Sequence, residues 1–198
     1  MSESAVDRLD PRVDRTRRAV MDAVAMLVVD EGAASVTHQR VAEVSRVGRA
    51  TLYRHWPTPA DLLYDALEEA EQPLLRPSDE PLMTWLRTEL HRAPGEMSAP
   101  TSIQFLAVLI GRADHDPDAA ELRRRLIDQD VMNLAVMVAR AEARGEIVGH
   151  PDAHDLYSRL LGPVFLRAVV ERRPASERFV DDVIDSVMAP WLANSETV

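Results

Sequence analysis

Apolar residues recur at helical spacing along most of the chain. Val20, Val24, Leu27 and Val28 share one stripe with Ala23, which predicts a first helix over residues 14–31, stopped by Gly32. Thr37 stands where an N-cap belongs, before a short helix reaching Ser45. A four-residue turn, Ser45 to Gly48, leads into another short helix that ends near His55, because Pro57 forbids continuation. Thr58-Pro59-Ala60-Asp61 is a capping box with proline at the first helical position, and it opens a fourth helix reaching Glu71. Pro73, Pro77 and Pro81 then break the composition. Helical patterns resume over residues 82–91, 101–113, 118–144, 153–172 and 176–192, separated by proline- or glycine-bearing junctions. β-type alternation of useful length is absent. The pattern predicts an all-α fold of about nine helices, four small ones followed by five longer ones.

Two short helices joined by a tight turn and packed on a longer one have the geometry of a helix-turn-helix. The second short helix must be exposed, so that it can enter a major groove. Here it is Arg49-Ala50-Thr51-Leu52-Tyr53-Arg54-His55. Leu52 is expected to turn inward towards Val41, Val44 and Val47, which leaves Arg49, Thr51, Tyr53 and His55 outward as hydrogen-bonding groups. Arginine matches a guanine edge; the other three suit phosphates or base edges.

Charge changes this picture only locally. The 198 residues carry a net charge of -10, from 23 basic and 33 acidic residues, which argues against a broadly basic surface. Between residues 36 and 58, however, four arginines face one glutamate, a net +3. Every basic residue is arginine. Cysteine is absent, which excludes a disulfide scaffold, a cysteine-zinc finger and a thiol nucleophile. The longest apolar runs fall far short of the roughly 20 residues a membrane span needs. A polar, acidic N-terminus is unlike a secretory signal, and the expectation is a cytoplasmic protein without membrane contact.

The run Thr51 to Trp56, with Val41-Ala42-Glu43, Pro57-Thr58 and Leu62-Leu63 in register, resembles the DNA-binding domain of TetR/AcrR-type transcriptional regulators. Arg144 to Ile147, Leu161 to Arg167 and Phe179 to Asp181 resemble the ligand domain of that family. The resemblance implies an N-terminal arm (1–11), a three-helix helix-turn-helix domain (12–65) and a ligand-sensing and dimerisation domain (66–198). It implies a repressor, not an enzyme, that binds a palindromic operator in double-stranded DNA as a homodimer. A small, largely apolar effector then releases it, and no cofactor is implied. It places Thr37, Gln39, Arg40, Gly48, Arg49, Ala50, Thr51, Tyr53, Arg54, His55 and Thr58 at the DNA, with Trp56 as a packing residue. Three positions depart from the family pattern. Arg46 stands at a turn position that usually holds glycine, Gly48 replaces a hydroxyl cap, and Pro59 replaces a phosphate-facing lysine. These departures shift the expected DNA contacts towards Arg40, Arg49, Tyr53, Arg54 and the N-terminal arginines Arg12, Arg15, Arg17 and Arg18.

In the C-terminal part, Leu156, Leu160, Leu161, Val164, Phe165 and Ala168 form one broad apolar face, and Phe179, Val183, Val187 and Trp191 another. The resemblance implies that these faces pair with their copies in a four-helix dimer interface. It also places the effector among Met83, Trp85, Leu86, Phe105, Leu109, Met132 and Met137, with Thr88, His91, Gln104 and Asn133 as polar anchors. Two other readings compete. His150, Asp152, His154 and Asp155 have metal-ligand chemistry at short spacing and would suit a metal-dependent helical enzyme, although Asp152 also reads as an N-cap. A dimeric small-molecule carrier that has lost DNA binding is suggested by Arg46, Gly48 and Pro59.

Overall fold

The computed structural model describes residues 11–70 and 72–193. The expected arm (1–11) lies outside them except for Pro11, and the side chain of Arg12 is likewise outside. Nine α-helices appear among the described residues: α1 (Pro11–Glu31), α2 (His38–Ser45), α3 (Arg49–His55), α4 (Pro59–Ala70), α5 (Leu82–Met97), α6 (Pro100–Arg112), α7 (Pro117–Arg144), α8 (Ala153–Phe165) and α9 (Glu177–Met188). They form two compact units, residues 1–71 and 72–198.

In the first unit, α1 packs on α2 and α4, and α2 packs on α3. Val20, Val24, Leu27 and Val28 of α1 are buried with Val41 of α2, Leu52 of α3, and Leu62, Leu63, Ala66 and Leu67 of α4. The caps form as the sequence suggests. The Thr37 hydroxyl accepts from the Arg40 amide at 3.2 Å. The Thr58 amide donates to Asp61 at 2.7 Å, and the Asp61 amide donates to the Thr58 hydroxyl at 3.2 Å.

In the second unit, α5, α7, α8 and α9 enclose a core of Leu82, Trp85, Leu86, Leu90, Leu134, Met137, Leu160, Val164, Ile184 and Met188. Three helices differ from the sequence expectation. α5 continues through Pro94 to Met97, because Ala93 is buried, Met97 packs on the core and Arg92 pairs with Glu96 across the proline. The long helix expected over 153–172 is α-helical only to Phe165; a π-helical turn, Leu166–Val170, follows Pro163, which cannot donate to the ladder. α9 stops at Met188, and the following residues pair with the chain after α7. Val148 donates to the Trp191 carbonyl at 2.7 Å, and Ile147 bridges Leu192.

The proline-rich connector before α5 is non-helical, and side chains hold its backbone. Leu75 is fully buried, its amide donates to Asp130 at 3.0 Å and its carbonyl accepts from Asn133 at 2.7 Å. The Arg76 amide donates to Glu89 at 2.8 Å, and the Arg76 carbonyl accepts from the Trp85 indole at 2.7 Å. The Leu74 carbonyl accepts from Arg92 at 2.6 Å. Further along, the Ser78 and Glu80 carbonyls accept from Arg140 and Arg144. Polar side chains thus pair the backbone of this connector, at Leu75 where it is buried and along the more exposed residues after it.

Candidate nucleic-acid interface

An isolated helix of seven residues is unstable in water, so α3 needs tertiary support to exist. Leu52 supplies the apolar anchor and is fully buried. The turn before α3 contains Arg46 in the left-handed region (φ 59°, ψ 20°). A residue with a Cβ there costs about 1 kcal/mol relative to glycine. Arg46 adopts this conformation as the C-cap of α2, and the chain enters α3 through Gly48 in extended conformation. Trp56 is buried, and its indole donates to Asp65 of α4 at 2.7 Å. Asp65 also pairs with Arg17 of α1.

Arg49, Ala50, Tyr53, Arg54 and His55 are exposed on α3, and Thr51 is half-buried. Arg54 donates to His55 at 3.3 Å, so these two neighbours lie together. Gly48 and Thr58, on either side of α3, are exposed, as are Thr37 and Gln39 of the α2 entry. The structure therefore gathers the α3 candidates on one short exposed element, flanked by the start of α2.

Two groups of expected DNA contacts are engaged within the protein. Arg40 pairs with Glu31 and with Glu43, and these bonds raise its pKa above the usual guanidinium value. Glu43 also accepts from Gln39 at 3.1 Å, and the Arg40 and Gln39 bonds hold its carboxyl below the usual range. Arg17 is held by Asp65 and Glu69. A phosphate must therefore compete with carboxylates for Arg40 and for Arg17. The sequence reading missed Glu31, Asp65 and Glu69 because they lie on other helices, α1 for Arg40 and α4 for Arg17. It also missed His38, which is buried beneath Tyr53.

Comparison with known proteins agrees with this geometry. Residues 79–187 match the family model described as the tetracyclin repressor-like, C-terminal domain. A solved TetR family transcription regulator, SCO0332, is similar at 30% identity with a TM-score of 0.66, over 88% of this chain and 97% of that one. The chain belongs to the TetR family of transcriptional regulators. An HTH-type transcriptional regulator of Mycobacterium tuberculosis is 27% identical over 94% of this chain and 93% of its own length. The DNA-binding transcriptional repressor TetR of Mycobacteroides abscessus is 26% identical over 87% of this chain and 92% of its own. TetR-family regulators bind DNA, form dimers and respond to small-molecule effectors; they are not enzymes.

The residues expected to hold an effector in this TetR-family chain differ in burial and in partners. Trp85, Leu86 and Met137 are sealed in the core of the second unit, with Met83 packed against it. Phe105 and Leu109 are buried on α6. Met132 is 62% exposed, and Gln104 and Thr88 are exposed too. Asn133 is occupied by the Leu75 carbonyl, and His91 lies 3.0 Å from Asp181. An open cleft beside α7 is lined by Ala120, Arg123, Arg124, Ile127, Asp128 and His154, none of them among the expected contacts.

The expected dimer face also needs correction. Leu156, Leu160, Leu161, Val164 and Ala168 are buried within the chain's own second unit, so a partner cannot reach them without unpacking it. Phe179 is covered by the Arg167 guanidinium, 3.8 Å above its ring. The Trp191 ring lies against Gly149, where an added Cβ would come within 3.1 Å of it. Phe165, Val183 and Val187 remain half-buried. The outward apolar residues are instead Leu166 and Val170, 51% and 60% exposed on the π-helical turn. Of the residues with metal-ligand chemistry, His150 pairs with Glu142 at 2.9 Å, Asp152 caps α8, and His154 faces Asp128 at 3.8 Å. Both histidines are exposed beside a single carboxylate, and no group of three or more candidate ligands occurs among the described residues. No helix of the described residues is long and apolar enough to cross a membrane.

Proposed function

We propose that this protein is a cytoplasmic repressor that binds a palindromic operator as a homodimer and is released by a small, largely apolar effector. The observation that carries the reading is the exposed face of α3. Arg49, Tyr53 and Arg54 project from a short helix braced by α2 and α4, next to the exposed Thr37 at the α2 entry. Arg49 is the base-reading candidate, because a guanidinium matches the two acceptors of a guanine edge. Tyr53 and the entry groups Thr37, Gly48 and Thr58 suit phosphates. Two-fold symmetry places two such helices about 34 Å apart, one turn of DNA. Leu166 and Val170, with the half-buried Phe165, Val183 and Val187, supply the apolar surface for pairing.

The effector acts by preferring a dimer in which the two reading heads no longer match the operator spacing. It can shift the balance only by its difference in affinity for the two states, typically about 1–3 kcal/mol of coupling. Trp85, Leu86, Met137 and Phe105 are tightly buried, so its entry requires the second unit to open. Selection of bound duplexes from a random pool tests the reading. Recovery of a palindrome supports a dimeric reader; a folded protein that enriches no sequence at low salt is instead a ligand carrier without DNA binding.

A further inference from the structure

His38 begins α2, yet it is 5% exposed, unusual for a histidine in the first turn of an eight-residue helix. Two contacts account for its burial. Its ring stacks on Tyr53, with centroids 4.0 Å apart and planes 20° from parallel. Its Nε2 lies 2.6 Å from the Trp56 carbonyl oxygen. A carbonyl can only accept, so Nε2 carries the proton and donates it.

These contacts grip α3 at two places. Tyr53 is in the middle of the helix, and Trp56 is its C-cap, whose amide donates to Leu52 at 2.7 Å. From the other side, the Trp56 indole donates to Asp65 of α4. Tyr53 is itself 55% exposed, so the face of its ring not resting on His38 is open to solvent. An aliphatic residue at position 38 would fill the space but would neither stack on the ring of Tyr53 nor bond the end of α3.

We propose that His38 is a positioning residue for DNA recognition: by stacking beneath Tyr53 and donating to the Trp56 carbonyl, it sets the pitch of α3 and aims the Tyr53 hydroxyl at a phosphate. This rests on the reading of α3 as the DNA-reading helix. His38 itself, being buried, touches no DNA. Misplacing a binding group by about 1 Å is enough to lose much of its contribution.

The test combines a shift measurement on the free protein with a mutant cycle on the selected duplex. In the free protein, the Tyr53 ring protons are expected to move downfield in His38→Leu as the stacked imidazole is lost. Specific affinity, measured well below the melting temperature, is expected to fall about tenfold in His38→Leu. His38→Gln, whose amide reaches as Nε2 does, is expected to recover part of that loss, and His38→Phe, which keeps only the stack, a different part. In a Tyr53→Ala background, His38→Leu is expected to cost less than about twofold. An equal tenfold loss in both backgrounds would assign His38 to general stability and overturn the proposal. So would unchanged affinity in His38→Leu, or unmoved Tyr53 resonances. If the wild-type protein binds no duplex at all, the DNA reading fails and the positioning role with it. That case is recognised because the ring shifts respond while every variant is equally silent on DNA.

Discussion

Asp130 gives the second unit a pH dependence of unusual sign for a carboxylate. It is 5% exposed on α7, and burial pushes its pKa up to about 6. The amides of Leu75 and Leu74 and the Arg92 charge pull the other way without overcoming the burial, and Glu89 adds to it. In the unfolded chain the group titrates near 3.9. With the folded value above the unfolded one, the fold tolerates the protonated acid better than the anion. Asp130 therefore contributes its full stability below about pH 4 and loses it as pH rises through about 6. Two units of displacement correspond to about 3 kcal/mol once both states are ionised. Asp130→Asn keeps a carbonyl oxygen for the Leu75 amide and removes the ionisation. It is expected to stabilise the second unit by about 1–3 kcal/mol at pH 7.5, the lower end allowing for an amide that lacks an acceptor. That advantage should vanish by pH 4. Urea unfolding of the pair, followed by Trp85 fluorescence with Trp56 and Trp191 replaced by phenylalanine, reads the difference at each pH. Comparing the pair cancels the opposite trend of carboxylates held low in the fold, such as Asp181 and Glu43. If Asp130→Asn is destabilising at pH 7.5, or its advantage does not shrink in acid, this account of Asp130 is wrong.

Other expectations concern the anchors of each unit. Leu75→Ala leaves a hole where the connector is fully buried, and should cost about 2–5 kcal/mol in the same unfolding experiment. Arg46→Gly relieves a left-handed residue and should raise first-unit stability by up to about 1 kcal/mol, read as a higher melting temperature. Leu166→Asp with Val170→Asp places charge on the exposed apolar turn and should convert a dimer to a monomer in sedimentation equilibrium without lowering helical content. A dimer unchanged by that pair would move the interface elsewhere.

The helix-turn-helix was legible because its signals are local. Thr37, Thr58 with Asp61, Pro57 and the alternation around Leu52 each act within a few residues, and the structure follows them closely. Helix ends set by tertiary contact were not legible. Pro94 looked like a stop, yet burial on both sides of it carries α5 onward. The long helix expected over 153–172 gives way after Pro163 to a π-helical turn on which Leu166 and Val170 are exposed. The apolar face of α8 was visible in sequence, but a single pattern cannot say whether it meets its own core or a partner. Leu160 and Val164 meet their own core. The cationic candidates divide for the same reason: Arg49 is exposed on α3, whereas Arg40 finds Glu31 of α1 besides Glu43 of its own helix, and Arg17 finds Asp65 and Glu69 of α4.

Hydroxyl-radical footprinting of the selected duplex measures the central claim most directly. A dimer reading with two copies of α3 is expected to protect two windows on one face of the DNA, centred about one turn apart, roughly 10 base pairs. Arg49→Ala with Tyr53→Phe should abolish both windows together. A single window, or protection that survives that double substitution, would contradict an α3-reading dimer.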